Sequence, residues 1–193
     1  ETVLDLKNAV KVMKSLYSNK EYLNHLRRRN FKQTVMLGFS DGTKDGGYFM
    51  ANWSIYKAKE SLSDISNEFG IHISFFDGRG GPPARGGGNT HQFYASLGKK
   101  IKADDIQLTI QGQTISSNFG TLDSSQYNLE QLLSSGISNQ VFSSEKNILN
   151  KEDRYTLEKI ADCSYKTYKK FKSHPKFVPY LEFMSTLKFY SKT

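Results

Sequence analysis

Three short polar clusters in this sequence combine residue types that can hold a cation and an oxyanion. In Ser40-Asp41-Gly42-Thr43-Lys44-Asp45-Gly46-Gly47 a lysine sits between two carboxylates. There Asp41 offers hard oxygens to a divalent cation while Lys44 faces an anion beside it. The plainer reading makes Asp41 a turn or cap residue. Residues 78–88 hold six of the chain's 15 glycines, together with Arg79 and Arg85. Such a density suits a backbone whose amides face a ligand, and the planar guanidinium forks fit carboxylate, phosphate or bicarbonate oxygens. A solvated surface loop is the alternative. The third cluster is Gln111-Gly112-Gln113.

Each cluster follows an apolar run that reads as a buried strand: 34–39, 71–76 and 106–110. Helical spacing covers 5–17, 20–29 and 46–69, the last stopped by Gly70. Asn89 and Thr90 are placed to cap a helix containing Phe93, Tyr94 and Leu97. Beyond Gly112 the pattern is helical, with Leu129, Leu132 and Leu133 as a core stripe. Asn150 opens a helix with Leu157, Ile160, Ala161, Ser164, Tyr168 and Phe171 on its apolar face. His174-Pro175 breaks that helix, and a last one runs from Phe177 to Leu187. Alternation of strands and helices predicts a helix-rich α/β fold with a parallel sheet, part of a β/α barrel, followed by a helical C-terminal portion. Residues 1–120 would form the barrel segment and 121–193 a helical segment packed on it, as one unit. In such folds ligands gather at the carboxyl ends of the strands, where all three clusters fall.

Composition narrows the classes. With 27 basic and 19 acidic residues the formal charge is +8. Segments 1–33 and 151–193 each carry a net +5, whereas 34–150, which holds all three clusters, carries −2. A phosphate-backbone binder concentrates its charge at the contact surface, so nucleic acid is not the expected partner. No apolar run approaches the roughly 18 residues of a membrane span. The single cysteine, Cys163, excludes an internal disulfide and favours a reducing, cytoplasmic setting. The four histidines show no metal-ligand spacing, and neither the GxxxxGK[ST] nor the dinucleotide fingerprint is present. The chain opens on Glu1 rather than Met, and a piece of a longer polypeptide is expected.

The clusters also carry a specific likeness. Residues 35–46, VMLGFSDGTKDG, resemble the VMxGYSDSxKDxG segment of phosphoenolpyruvate carboxylases. Phe76-Asp77-Gly78-Arg79-Gly80-Gly81, running on to Arg85-Gly86-Gly87-Gly88, is similar to the family's FHGRGGxxGRGG loop. Residues 109–113 match TEQGE in part, Phe177-Val178-Pro179-Tyr180 matches FVPYF, and Glu1 to Leu6 resembles FETxxDL. The resemblance implies a fragment of the catalytic, carboxyl-terminal half of an enzyme that carboxylates phosphoenolpyruvate with bicarbonate to oxaloacetate and phosphate. It further implies Mg²⁺ or Mn²⁺ held by Glu1 and Asp41, with Lys44, Arg79 and Arg85 holding phosphate and bicarbonate oxygens. Gly80, Gly81, Gly86 and Gly87 would belong to the substrate loop. The remainder of the polypeptide, including the family's catalytic histidine, would complete the site, in a full-length homotetramer. The reading outside this family is a non-catalytic anion- or nucleotide-binding module.

Departures from the motifs carry expectations of their own. Asp77 stands where the family has histidine, replacing a possible donor with an acceptor that would weaken phosphate binding. Pro82-Pro83-Ala84 should stiffen the loop before Arg85. Ile110 and Gln113 replace both glutamates of TEQGE and are given no catalytic role.

Overall fold

The computed structural model describes residues 1–101, 105–141 and 148–185. Its centre is a three-stranded parallel sheet in the order β1-β2-β3, formed by Lys32–Leu37, His72–Gly80 and Ile106–Ile110. β1 runs in unbroken register beside β2, from Lys32 opposite His72 to Leu37 opposite Asp77. The β2–β3 register slips between Asp77 and Gly80. Along β2, Ile73, Phe75, Asp77 and Arg79 alternate onto one buried face, as the twofold period of a strand requires. The fold is therefore helix-rich α/β with a small parallel sheet, as the sequence predicts. Among the described residues the sheet does not close into a barrel.

Helices cover that buried face. The first, α1 (Val3–Tyr17), opens on a capping box in which the Thr2 hydroxyl accepts from Asp5 N–H and the Asp5 carboxylate accepts from Thr2 N–H. After α2 (Lys20–Arg28) and β1, the helix α3 (Phe39–Gly46) leads into α4 (Tyr48–Glu68). α4 lays Ile55, Ala58, Leu62 and Ile65 into the same cluster as Leu6, Met13, Tyr17, Leu37, Ile73 and Phe75. Burial of one such side chain contributes about 1.5–3 kcal/mol. Then come α5 (Thr90–Ala95), α6 (Gly112–Phe119), α7 (Leu122–Val141), α8 (Lys151–Lys172) and α9 (Phe177–Met184). Asn89 and Asn150 cap α5 and α8 as expected. The expected end of the last helix at Leu187 lies outside the described residues.

Three expectations are corrected. The first strand starts and ends earlier than 34–39, because Phe39 is buried and opens a helix where a loop was expected. The Phe39 ring meets Phe93 edge-on at 5.5 Å, and this packing overrides the weak helix preference of Ser40-Asp41-Gly42. On α7, Leu132 packs against the core, while Leu129 and Leu133 are exposed. On α8, Ala161 is buried, but Ile160 and Phe171 face outward. That helix docks through Leu157, Ala161 and Tyr165, which pack with Val3, Met50 and Trp53, and through charge as well. Arg154 grips Glu60 with two hydrogen bonds of 2.8 and 2.6 Å, and Glu158 accepts from Lys57 and from the Trp53 indole.

Candidate metal and oxyanion site

The first cluster is a helix, not a loop. On α3, Asp41 and Lys44 lie one turn apart and exposed, with Lys44 Nζ 3.2 Å from Asp41 Oδ1. Asp41 sits in the first turn and Lys44 in the last, each charge at the end of the helix dipole that favours it. Glu1 joins them from the start of α1, its Oε2 accepting from Gly38 N–H at 2.8 Å. A methyl group in place of the Gly38 hydrogen would stand 3.7 Å from Asp41 Oδ2 and 3.7 Å from Glu1 Oε2. Two carboxylates thus flank one point, and their hard oxygens fit Mg²⁺ or Mn²⁺ in donor chemistry. Among the described residues no cluster of three or more such side chains forms.

The glycine loop folds back onto α3. Pro83, Ala84 and Arg85 form one turn of 3-10 helix, with proline in its first position. Gly86 follows with φ of +78°, and a Cβ there would lie 2.6 Å from Thr43 Oγ1 and 2.7 Å from Phe39 O. Only glycine permits both that backbone and that approach. Farther back, a Cβ on Gly80 would fall 1.6 Å from Thr109 O. The loop amides face inward: Gly81, Gly86 and Gly87 donate to the carbonyls of Arg79, Pro83 and Pro82. Its glycine density is accounted for by close packing rather than by a cradle of free amides.

The third cluster meets the second. Gln111 Oε1 accepts from Arg85 Nη1 at 3.4 Å, while Gln111 N–H and the Thr114 hydroxyl both donate to Gly80 O. Gln111-Gly112-Gln113 is the entry to α6 rather than a free loop. Arg85 itself is exposed.

The two charged residues on the buried face of β2 behave differently. Arg79 is 4% exposed beneath the loop, with its guanidinium carbon 4.1 Å from the Phe93 ring centre and Nη2 3.4 Å from Gly87 O. Among the described residues its Nε and Nη1 meet no acceptor. Burial holds its pKa below the ordinary arginine value, against the opposing pull of Tyr48, Tyr94 and Asp77. Asp77, expected at the phosphate, lies on the same face but is engaged by the helices. Its Oδ2 accepts from Lys59 Nζ at 2.7 Å and from the Tyr94 hydroxyl at 2.8 Å. Burial lowers the Lys59 pKa while Asp77 opposes that shift, and burial together with Asp77 raises that of Tyr94. Sequence reasoning missed Lys59, although a lysine among the apolar positions of α4 was a visible signal.

Beside the loop, a cavity of about 390 Å³ lies among Gly81, Pro83, Ile110, Phe119, Asn128 and Leu132. Asp41, Lys44, Arg79 and Arg85 do not line it. No helix among the described residues is long and apolar enough to cross a membrane.

The chain is thus a helix-rich α/β protein with a parallel sheet, in which Glu1, Asp41 and Lys44 lie just beyond the end of β1 and the loop bearing the exposed Arg85 packs on the same helix. The family model for phosphoenolpyruvate carboxylase matches residues 1–191. A phosphoenolpyruvate carboxylase of Corynebacterium diphtheriae is 33% identical over 181 residues, 93% of this chain. The chain belongs to the phosphoenolpyruvate carboxylase family. It spans 20% of the length of that relative.

Proposed function

We propose that this chain is the metal- and oxyanion-binding part of an enzyme that carboxylates phosphoenolpyruvate with bicarbonate, giving oxaloacetate and phosphate. One observation carries the reading. Gly86 rests on Phe39 and Thr43, so the loop bearing Arg85 is seated on the helix bearing Asp41 and Lys44. Glu1 and Asp41 would hold Mg²⁺ or Mn²⁺, whose charge polarises the oxyanion. Lys44 and Arg85 bind phosphate and bicarbonate oxygens and stabilise the charge that develops in transfer. Arg79 adds its fixed charge from beneath the loop. Gly80, Gly81, Gly86 and Gly87 let the loop close against β3 and α3. The sequential parallel sheet order supports its being an arc of a β/α barrel, carrying residues 121–193 as a helical addition. The rest of the polypeptide would complete the barrel and assemble as a homotetramer in the cytoplasm.

The test is bicarbonate-dependent oxaloacetate formation by the full-length protein. Arg85→Ala should lower turnover by about 10²-fold or more while the far-ultraviolet circular dichroism stays unchanged. Near-normal turnover in that variant would remove Arg85 from its role. The 193-residue chain alone should show no turnover, because the family's proton-transferring histidine lies elsewhere. Activity of that piece by itself would overturn this part of the reading.

A further inference from the structure

Asp45 lies four residues after Asp41 at the end of α3 and takes no part in the site as drawn above. Its two oxygens join separate helices. Oδ2 accepts from Val3 N–H at 2.9 Å, one of the amides at the start of α1 that no helical carbonyl can satisfy. Oδ1 lies 3.2 Å from Lys169 Nζ on α8. Around this bridge α8 closes on the end of α3. Lys44 O accepts from Lys172 Nζ at 2.6 Å and from the Tyr168 hydroxyl at 3.1 Å. Gly47, with φ of +78°, lets the chain turn under the Tyr168 ring, whose Cγ would be 3.1 Å from a Cβ there.

The consequence concerns the two carboxylates. Glu1 precedes Val3 by two residues and is tied to the start of α3 through Gly38 N–H. Asp45 ties Val3 to the end of the same helix. The opening of α1 is therefore pinned at both ends of α3, and Asp41 lies between the pins. We propose that Asp45, braced by Lys169, is a positioning residue that sets the separation of Glu1 and Asp41 and so the affinity for the divalent cation. This rests on the metal reading above and extends it to a residue that touches neither metal nor substrate.

The probe is Mn²⁺, titrated into the full-length protein and followed by electron paramagnetic resonance. Loss of an outer-shell partner typically costs about 10–100-fold in metal affinity. Asp45→Ala should weaken Mn²⁺ binding by about tenfold and speed exchange of the Val3 amide. Asp45→Asn keeps an acceptor for Val3 but loses the lysine, and Lys169→Met loses only the charge. Both should weaken binding by a smaller factor and leave the Val3 amide protected. Those two variants carry the test if Asp45→Ala does not fold. Glu1→Gln should make the Asp45→Ala loss disappear, since a positioning residue has no effect once the group it positions is gone. Wild-type protein that binds Mn²⁺ and an Asp45→Ala variant that binds it equally well, with Val3 exchange raised, would overturn the inference alone. Wild-type protein that binds no Mn²⁺ would overturn the metal reading and this inference together.

Discussion

Of the lysine–aspartate pairs around the site, two are opposites. Lys59 and Asp77 meet at 2.7 Å with side chains 2% and 1% exposed. Lys44 and Asp41 meet at 3.2 Å with side chains 72% and 64% exposed. The first pair is sealed between β2, α4 and α5, with the Tyr94 hydroxyl as a further donor to Asp77. Neither charge can reach water, so each depends on the other. The second pair is bathed in solvent, where an ion pair contributes about 0–1 kcal/mol, so both of its members are free to exchange partners for a ligand. Asp77 is only two residues from Arg79 and belongs to the most family-like loop of the chain, yet the parity of β2 turns it to the helices. Position at a strand end does not suffice for a site, because the partners already holding a side chain decide whether it is free for a ligand.

The largest effect that would test this contrast is on the buried pair. Lys59→Met leaves a buried carboxylate with Tyr94 as its remaining donor, and removing one partner of such a pair costs about 3–5 kcal/mol. Amide exchange along β2 and α4 reads this locally in the full-length protein. Pairing Lys59→Met with Asp77→Leu should restore most of the loss, since an apolar pair needs no compensation. Restoring the family's histidine through Asp77→His alone should also destabilise, because Lys59 would then lose its carboxylate. A cost below about 1 kcal/mol for Lys59→Met would erase the distinction between the two pairs.

A middle case lies along α8, whose ion pairs are half-buried. Partial burial works against ionisation of Asp45, but Val3 N–H and Lys169 outweigh it and hold its pKa below the ordinary 3.8. Glu158 is likewise lowered from 4.5, with burial outweighed by Lys57 and the Trp53 indole. Groups with depressed folded values stabilise above their unfolded pKa and lose that contribution as pH falls through the folded one. Acidification below about pH 4.5 should therefore loosen α8 from α3 and α4. Exchange of α8 amides, compared with those of β2, measures the loosening. If the α8 amides kept their protection through that range, Asp45 and Glu158 would not be what seats the helix.

Much of this architecture was legible because local signals and packing agree. The periodicity of α1 and α2, the run of β3 and the asparagine caps at positions 89 and 150 all survive into the structure. α3 was not legible. Its Ser-Asp-Gly sequence speaks for a turn, and burial of Phe39 against Phe93 is a long-range contact that local pattern does not carry. The seat of α8 was legible in part: Leu157 and Ala161 of its expected apolar face do pack. Arg154, Glu158 and Lys169 also dock it, and helical periodicity does not look for charges. Of the site, Asp41, Lys44 and Arg85 are exposed where strand-end reasoning expects them. Arg79 is not, because it shares the parity of Asp77.

The smallest effect sharpens the comparison most. Lys44→Met removes the same side-chain charge as Lys59→Met, but from a pair whose members are both hydrated in the folded and the unfolded chain. Its cost in stability should stay within about 0.5 kcal/mol, the scale of a surface substitution. Part of even that would come from the end of α3, where a cation interacts favourably with the helix dipole. Amide exchange in α3 should thus be nearly unchanged, whereas bicarbonate-dependent turnover should fall. If α3 opened by more than about 1.5 kcal/mol, Lys44 would be holding the helix together. Its exposure would then no longer argue for a ligand.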